Sequence, residues 1–292
     1  MKRRGNLRSI YAMLSAVALF SLMDTVMKLL TAHYPAMQVA ALRGLCSLPL
    51  VLAYIGWRGA FHSMFKVRWS LHLLRGVLGV AMLSLFAFGL KQLSLAEAYT
   101  IFFIAPALIT ALSVLLLKER VDMARWIAIG VGLVGVIVVL RPTGQGMLTL
   151  GGLAILGAAV CYAVSSITGS ILGRSDSAEH MVLWLMLMMS GGGLALAAPG
   201  WIPVRPADAL LLVALAVTGF LGQLAITDAF NKGEASSIAP LEYTALAWGV
   251  AMDWLLWHAL PDRYTLIGAA IIIGSGVYLI RNEHQHATAE HP

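Results

Sequence analysis

The sequence predicts an all-α integral membrane protein in which ten transmembrane helices form two inverted repeats of five. Three observations carry this prediction: the composition, the length of the apolar segments, and a repeat within the chain. Of the 292 residues, 60% are hydrophobic and 12% are charged, and the mean hydropathy is +0.83. Soluble domains carry about 25% charged residues, so a chain this poor in charge is better solvated by lipid than by water.

Ten apolar segments are long enough to cross a bilayer as helices, which takes about 20 residues each. Strands of a barrel would instead show roughly ten-residue patterns of alternating polarity, which we do not find. The apolar run after the basic start is longer than the 7–15 residues or so of a signal peptide, so we expect it to be retained as a span. The predicted segments are 9–30, 36–56, 69–90, 95–117, 122–140, 148–172, 180–200, 207–230, 235–258 and 263–280.

The distribution of Lys and Arg predicts the orientation. Thirteen of these residues lie on the side of the N-terminus and five on the other side, while Arg43 and Arg75 fall within spans. Because cytoplasmic loops collect basic residues, we expect both termini in the cytoplasm of a bacterial inner membrane. The net charge of +6 then needs no nucleic-acid partner to explain it.

A shift of 140 residues aligns the two halves of the chain. Asp122 then meets Asp262, and Arg141 meets Arg281, each at the edge of a span. Five spans per half is an odd number, so the second half enters the membrane from the opposite side, and such inverted repeats serve alternating access in carriers. The predicted units are a first repeat at 1–143, a second repeat at 144–283 and a disordered cytoplasmic tail at 284–292.

The ends of the two halves carry a recognisable pattern. The stretch 95–120 has a small-residue entry, Pro106 in mid-helix and a closing Leu-Lys-Glu-Arg, and 234–262 is its counterpart. Together with Lys28 and Arg43 in the first two spans, these residues resemble the EamA-type ten-span exporters of the drug/metabolite transporter superfamily. The likeness is to exporters of aromatic amino acids and related metabolites.

This resemblance implies proton-coupled or facilitated movement of amino acids, amphiphilic toxins, vitamins or nucleotide-like metabolites. We expect no cofactor, and a protein that works in the lipid membrane as a monomer or a homodimer. The sequence departs from the family at Ala259, where the second half usually carries a glutamate like Glu119 in the first half. A symmetric role for that glutamate pair is therefore not expected here.

Charged residues inside spans cost about 2.5–3.5 kcal/mol each, so each needs a partner or a purpose. Asp24 and Lys28 lie four residues apart on one helical face, and Arg43 lies at a similar depth in the second span. We expect the three to border a substrate cavity, binding a carboxylate or an amine. The alternative is that Asp24 and Lys28 neutralise each other while Arg43 supports helix packing.

Glu242 in the ninth span is the candidate for a proton-coupling carboxylate, because a buried carboxyl group can exchange a proton during the cycle. Tyr243 and Trp248 lie close to it in the sequence and are expected to bind substrate as well. The alternative for Glu242 is a hydrogen bond that holds two helices together.

Aromatic and small polar residues alternate on the fourth and sixth spans, which suits an amphipathic ligand. The alternative is that the aromatic residues face lipid or the core. Gln223 in the eighth span is a further polar candidate, with interhelical bonding as its alternative. The aromatic and polar candidates on these spans are Tyr99, Phe102, Phe103, Tyr162, Ser165 and Ser166.

Proline predicts where the helices bend. Pro106 and Pro240 each remove a hydrogen bond from a span, so we expect the fourth and ninth spans to act as gates, although a static bend would look the same. The glycines of the fifth and tenth spans, Gly130 and Gly274 among them, are expected to serve helix packing.

Other functions find less support in the sequence. We find no phosphate-binding loop and no metalloprotease or esterase motif, and the histidines of the tail do not form a metal site. A lipid-modifying membrane enzyme would carry paired histidines and carboxylates at a membrane face. We therefore expect a non-enzymatic secondary transporter that exports amino acids, with a riboflavin-like vitamin importer or a cationic drug exporter as alternatives.

Overall fold

The computed structural model describes residues 2–60, 64–90, 92–93, 95–141, 149–258 and 262–289, and within these ranges the regular structure is helical. The long helices agree with the predicted segments to within a few residues at most ends. The α-helices are α1 (Lys2–Leu30), α2 (Ala36–Trp57), α3 (Trp69–Leu90), α4 (Leu95–Phe102), α5 (Ala105–Leu112), α6 (Met123–Leu140), α7 (Leu150–Leu172), α8 (Ala178–Ala197), α9 (Ala209–Lys232), α10 (Ala235–Ile238), α11 (Thr244–Trp257) and α12 (Arg263–Ala289).

Nine helical segments of the described chain are long and apolar enough to span a membrane, where the sequence predicted ten. The difference lies in the predicted segment 235–258, which is broken into α10, a 3₁₀ turn at Ala239–Tyr243, and α11. Pro240 explains the break, because it has no N–H to donate and its ring disfavours a continuous helix.

The fourth predicted segment is also interrupted. Between α4 and α5 the chain turns at Phe103 and Ile104, and Pro106 lies in the first turn of α5, where its missing N–H costs nothing. After α5 comes one π-helical stretch, Ser113–Leu117, which ends at Lys118 in the left-handed conformation.

Helices of the first half pair with helices of the second half. The most extensive pairings are α1 with α9, α2 with α8, α3 with α7, and α6 with α12. Glycine permits the last of these, because a Cβ added at Gly268 would lie 2.7 Å from the carbonyl oxygen of Gly135. Two turns further along, the Ser275 hydroxyl donates to the Ala128 carbonyl at 2.8 Å.

Local structure recurs at the 140-residue spacing seen in the sequence. Asp122 accepts a hydrogen bond from the backbone N–H of Arg125 at 3.2 Å, and Asp262 accepts one from that of Thr265 at 2.8 Å. Each aspartate thereby caps the helix that follows it. Lys118 and His258, also 140 residues apart, both have a positive φ, at 56° and 50°.

The outer surface of the bundle is apolar. Leu115, Leu150 and Leu210 are each more than 70% exposed, as expected of side chains that face lipid. At its C-terminal end α12 continues to Ala289, into the segment that the sequence assigned to a tail without regular structure.

Candidate functional site

A cavity of about 300 Å³ lies among α1, α2, α3, α4, α7, α8, α9 and the 3₁₀ turn after α10. Its size is at the lower end of the range for small-molecule sites. Apolar side chains form most of its wall, and the polar groups are few. The polar lining residues are Ser21, Asp24, Arg43, Arg75, Tyr99, Tyr162, Ser165, Ser166, Gln223, Thr227 and Glu242.

Asp24 of α1 and Arg43 of α2 form a charged pair at one end of the cavity. The carboxylate and the guanidinium interact electrostatically, and the Arg43 guanidinium also lies 5.3 Å from the ring centre of Phe20. Such a pair can bind an ammonium and a carboxylate of one ligand. Lys28, predicted to join them, is exposed one turn further along α1 and does not line the cavity.

Tyr162 and Glu242 join α7 to the broken ninth segment. The phenolic O–H of Tyr162 donates to Oε1 of Glu242 at 2.8 Å. Glu242 reaches the cavity because it lies in the 3₁₀ turn that follows Pro240, not in a continuous helix. The break therefore brings a carboxyl group and backbone into the middle of the bundle, where a carrier would need polar groups.

An aromatic wall lies beside this pair, formed at the break between α4 and α5. Ring centres of Tyr99 and Phe103 are 6.2 Å apart, and those of Phe102 and Tyr162 are 5.7 Å apart. These separations are typical of packed aromatic pairs. All four residues line the cavity, so the wall can contact a planar ligand.

Two predicted substrate residues lie elsewhere. Tyr243 is buried against Val136 and Ile272, and a Cβ added at Gly132 would lie 2.4 Å from its ring. Successive residues of a 3₁₀ turn point about 120° apart, so the turn that aims Glu242 into the cavity aims Tyr243 away from it. Trp248 on α11 is 40% exposed and is not part of the cavity wall.

Polar residues of α7 and α9 complete the lining as predicted from the sequence. Ser166 donates to the carbonyl of Tyr162 at 3.0 Å, and the Gln223 side-chain amide donates to the Thr227 hydroxyl at 3.5 Å. The predicted gate residues, Pro106 and Pro240, are buried at the two helix breaks and do not line the cavity themselves.

Arg75 of α3 was seen in the sequence as a charge within a span but was not assigned to the site. It is 7% exposed and lines the cavity. The signal that could have found it was the cost of an intramembrane charge, the same signal that identified Arg43.

The cavity is accessible at one end and closed at the other. Asp24 is exposed although it lies within the bundle, so the cavity opens near the end of α1. At the far end, the lining residues Met181, Thr227 and Phe230 are each 5% exposed or less.

A polar network lies beyond the closed end, where α10 begins. Glu119 accepts from the backbone N–H of Ala235 at 2.9 Å, and from the N–H and hydroxyl of Ser236 at 3.0 and 2.7 Å. Arg125 donates to the Ser236 hydroxyl at 2.9 Å and pairs with Glu234 at 2.6 Å. Glu234 makes no side-chain cap of its own, so Glu119 caps α10 from the other half of the chain.

Other ion pairs join the two halves at the membrane edges. Arg58 pairs with Glu179 at 2.9 Å, and Arg141 pairs with Asp262 at 2.5 Å. Hydrogen bonds from Thr265 lower the pKa of Asp262 to about 2, and Arg141 adds to this effect. Within the described residues, no cluster of three histidine, cysteine or acidic side chains could hold a metal ion.

Comparison with known proteins gives the same family for both halves. The profile described as the EamA-like transporter family matches residues 7–141 and again 149–281. A riboflavin transporter of Vibrio cholerae is 29% identical over 95% of this chain and 94% of its own length. A pseudopaline exporter of Pseudomonas aeruginosa is 25% identical over 90% of this chain and 93% of its own. One protein of known crystal structure superposes with a TM-score of 0.83 at 20% identity, covering 96% of this chain and 99% of that one, and this likeness supports the fold alone.

Proposed function

The chain belongs to the EamA-like transporter family, which matches nearly all of it, and from that premise we propose that it carries small amphipathic metabolites by alternating access around the central cavity. It is a small-molecule transporter of this family, not an enzyme, and a multi-pass membrane protein. Our finer proposal is that it exports amino acids across a bacterial inner membrane, with both termini in the cytoplasm.

One observation carries the proposal: a cavity with charged and aromatic walls that is open at one end and closed at the other. Its walls come from both family matches, since α1 to α4 belong to the first and α7 to α9 to the second. Motion between the two matched regions would change which end is accessible. A rigid scaffold would gain nothing from burying charges around such a space.

We propose ten spans, counting the broken segment 235–257 as one, arranged as two inverted repeats. The recurrence of the two helix caps at a spacing of 140 residues supports a repeat. The helix pairings support a two-fold axis, because α1 with α9 corresponds to α3 with α7 when the halves are exchanged, and the other two main pairings correspond to themselves. Such symmetry would let the two repeats exchange conformations, so that the cavity opens to either side.

The amino acid proposal rests on charge. One of the two arginines of the cavity, Arg43 or Arg75, would bind the carboxylate. Asp24 or Glu242 would bind the ammonium, and the wall at Tyr99 and Phe103 would contact the side chain. Pockets of this kind use few polar atoms to orient a mainly apolar ligand.

Riboflavin is the second candidate, because a relative similar over the full length is named a riboflavin transporter. The aromatic wall would stack on the isoalloxazine ring, and Gln223 and Ser166 would bind its polar edge. Under this alternative Asp24 and Arg43 would neutralise each other and would not bind the ligand.

Coupling and gating follow from the same geometry. We propose that Glu242 exchanges a proton during the cycle, since its hydrogen bond from Tyr162 can be replaced by a bond to substrate. The breaks at Pro106 and Pro240 would act as hinges for closing one end and opening the other. We expect the protein to work in lipid as a monomer or a homodimer.

Uptake into liposomes that contain the purified full-length chain tests the proposal. The panel is labelled phenylalanine, tryptophan, riboflavin and a cationic dye, with and without a pH gradient. We expect exchange of at least one amino acid to exceed that of empty liposomes. Riboflavin exchange alone would transfer the proposal to the second candidate, and exchange of neither class would refute both.

A further inference from the structure

Arg75 is a buried cation without a partner. Its side chain lines the cavity, it is 7% exposed, and its Nε and Nη1 atoms have no hydrogen-bond partner among the described residues. The guanidinium lies against the backbone of α7, where a Cβ added at Gly169 would be 3.5 Å from Nη2. Glycine at this position therefore places no side chain of its own against the guanidinium.

Two other arginines of the described bundle, one buried and one partly buried, have acidic partners. Arg125 bonds with Ser236 and Glu234, and Arg43 interacts with Asp24. A buried charge without a partner is strongly unfavourable, so a protein retains one where something else supplies the opposite charge.

Nearby acidic groups are already engaged. Asp176 lies against His72, which is one turn before Arg75 on α3, and it accepts from His72 at 2.9 Å, from the Ser175 hydroxyl at 2.7 Å and from the Arg68 backbone at 3.1 Å. The Ser170 hydroxyl, next to Gly169 on α7, also has no partner within the described residues. Asp176 is thus not free to neutralise Arg75, and the Ser170 hydroxyl carries no charge with which to do so.

Arg75 lies at a different depth from the charged pair. It is six residues from Trp69 at the start of α3, whereas Arg43 is fourteen residues from Trp57 at the adjoining end of α2. At 1.5 Å per residue the two arginines differ in depth by about 12 Å. A ligand can therefore contact Arg75 at the closed end while its body lies on the aromatic wall.

We propose that Arg75 is the anion-binding residue of the cavity, and that the transported molecule carries a carboxylate or phosphate group that this guanidinium binds. The planar guanidinium donates two parallel N–H bonds to either oxyanion. This inference rests on the proposed function and narrows its substrate class to amphipathic anions or zwitterions.

The test measures binding and exchange of matched probes by the full-length chain, in detergent and in liposomes. Tryptophan is compared with tryptophan amide, which lacks the carboxylate, and flavin mononucleotide with riboflavin, which lacks the phosphate. We expect the wild type to bind one anionic probe at least tenfold more tightly than its counterpart. Arg75→Gln should abolish that preference, and Arg75→Lys should keep part of it. Arg263→Gln, an exposed arginine outside the cavity, is the matched control and should keep all of it.

The outcomes separate the inference from the proposed function. If the wild type moves the probes without preferring the anionic member of either pair, or if Arg75→Gln keeps the preference, the inference is overturned and the carrier stands. If the wild type neither binds nor moves any probe, the proposed function and the inference are refuted together. A melting curve for each variant identifies loss of folding. If Arg75→Gln does not fold, a reduced anion preference in Arg75→Lys supports the inference, and an unchanged preference overturns it.

Discussion

Replacing Glu119 by alanine should open the closed end of the cavity. Its carboxylate accepts three hydrogen bonds from Ala235 and Ser236, which are both fully buried at the start of α10. Removing it leaves two backbone N–H groups without a protein partner. If the start of α10 moves away from the segment that carries residue 119, water reaches both N–H groups and the cost is avoided.

The magnitude follows from those two donors. An unsatisfied buried N–H costs about 1–3 kcal/mol, and because Glu119 is partly exposed, water would recover roughly half of the sum, which leaves about 1–3 kcal/mol for the two groups. At 1.4 kcal/mol per tenfold change, the population open at this end should rise by about 5- to 150-fold.

The assay is labelling of a cysteine introduced for Thr227, in a chain without Cys46 and Cys161. An impermeant maleimide is added on the side where α1 begins. Glu119→Ala should raise the labelling rate by about fivefold or more, whereas Arg120→Ala, an exposed neighbour, should leave it within about twofold. A rate unchanged in Glu119→Ala, with the protein still folded, would refute the reasoning.

Three further predictions concern packing, capping and coupling. Gly268→Ala should lower the free energy of unfolding by about 1–3 kcal/mol, and with it the unfolding temperature, because the new Cβ would meet backbone atoms of α6. Gly274→Ala, with open space around it, is the control. Equal unfolding temperatures for the two variants would contradict the prediction. Asp262→Ala should destabilise the chain equally from pH 5 to 8. The pKa of Asp262 is lowered to about 2, so the stabilisation by its carboxylate is lost only as the pH falls from about 4 through 2. A loss of unfolding free energy that varies between pH 5 and 8 would argue against this. Glu242→Gln should make exchange in liposomes independent of a pH gradient, whereas Tyr162→Phe should keep the dependence, and coupling that survives Glu242→Gln would exclude the proposed role.

Much of the site was predictable because intramembrane polar residues are scarce and expensive. Asp24, Arg43 and Glu242 were identified on that ground, and all three line the cavity. Helical phase was not predictable in the same way. In a chain that is apolar on every face, nothing in the sequence tells that Tyr243 turns from the cavity or that Trp248 lies on the outside.

Contacts between distant segments could not be predicted from the sequence. The sequence places Glu119 at the end of the fourth span, but its role as the cap of α10 depends on how two distant segments meet. Pro240 predicts a bend, yet the length of the 3₁₀ turn after it depends on packing. Ala259, expected to leave Glu119 without a symmetric counterpart, lies outside the described residues.

Two-sided labelling tests the central claim most directly. A cysteine in place of Phe20, which is partly exposed, reports the accessible end of the cavity, and one in place of Thr227 reports the closed end. We predict that each is labelled from one side of the membrane, and that a transported substrate lowers one rate while it raises the other. Labelling of both positions from the same side, or a Thr227 position that stays protected under every condition, would contradict alternating access around this cavity.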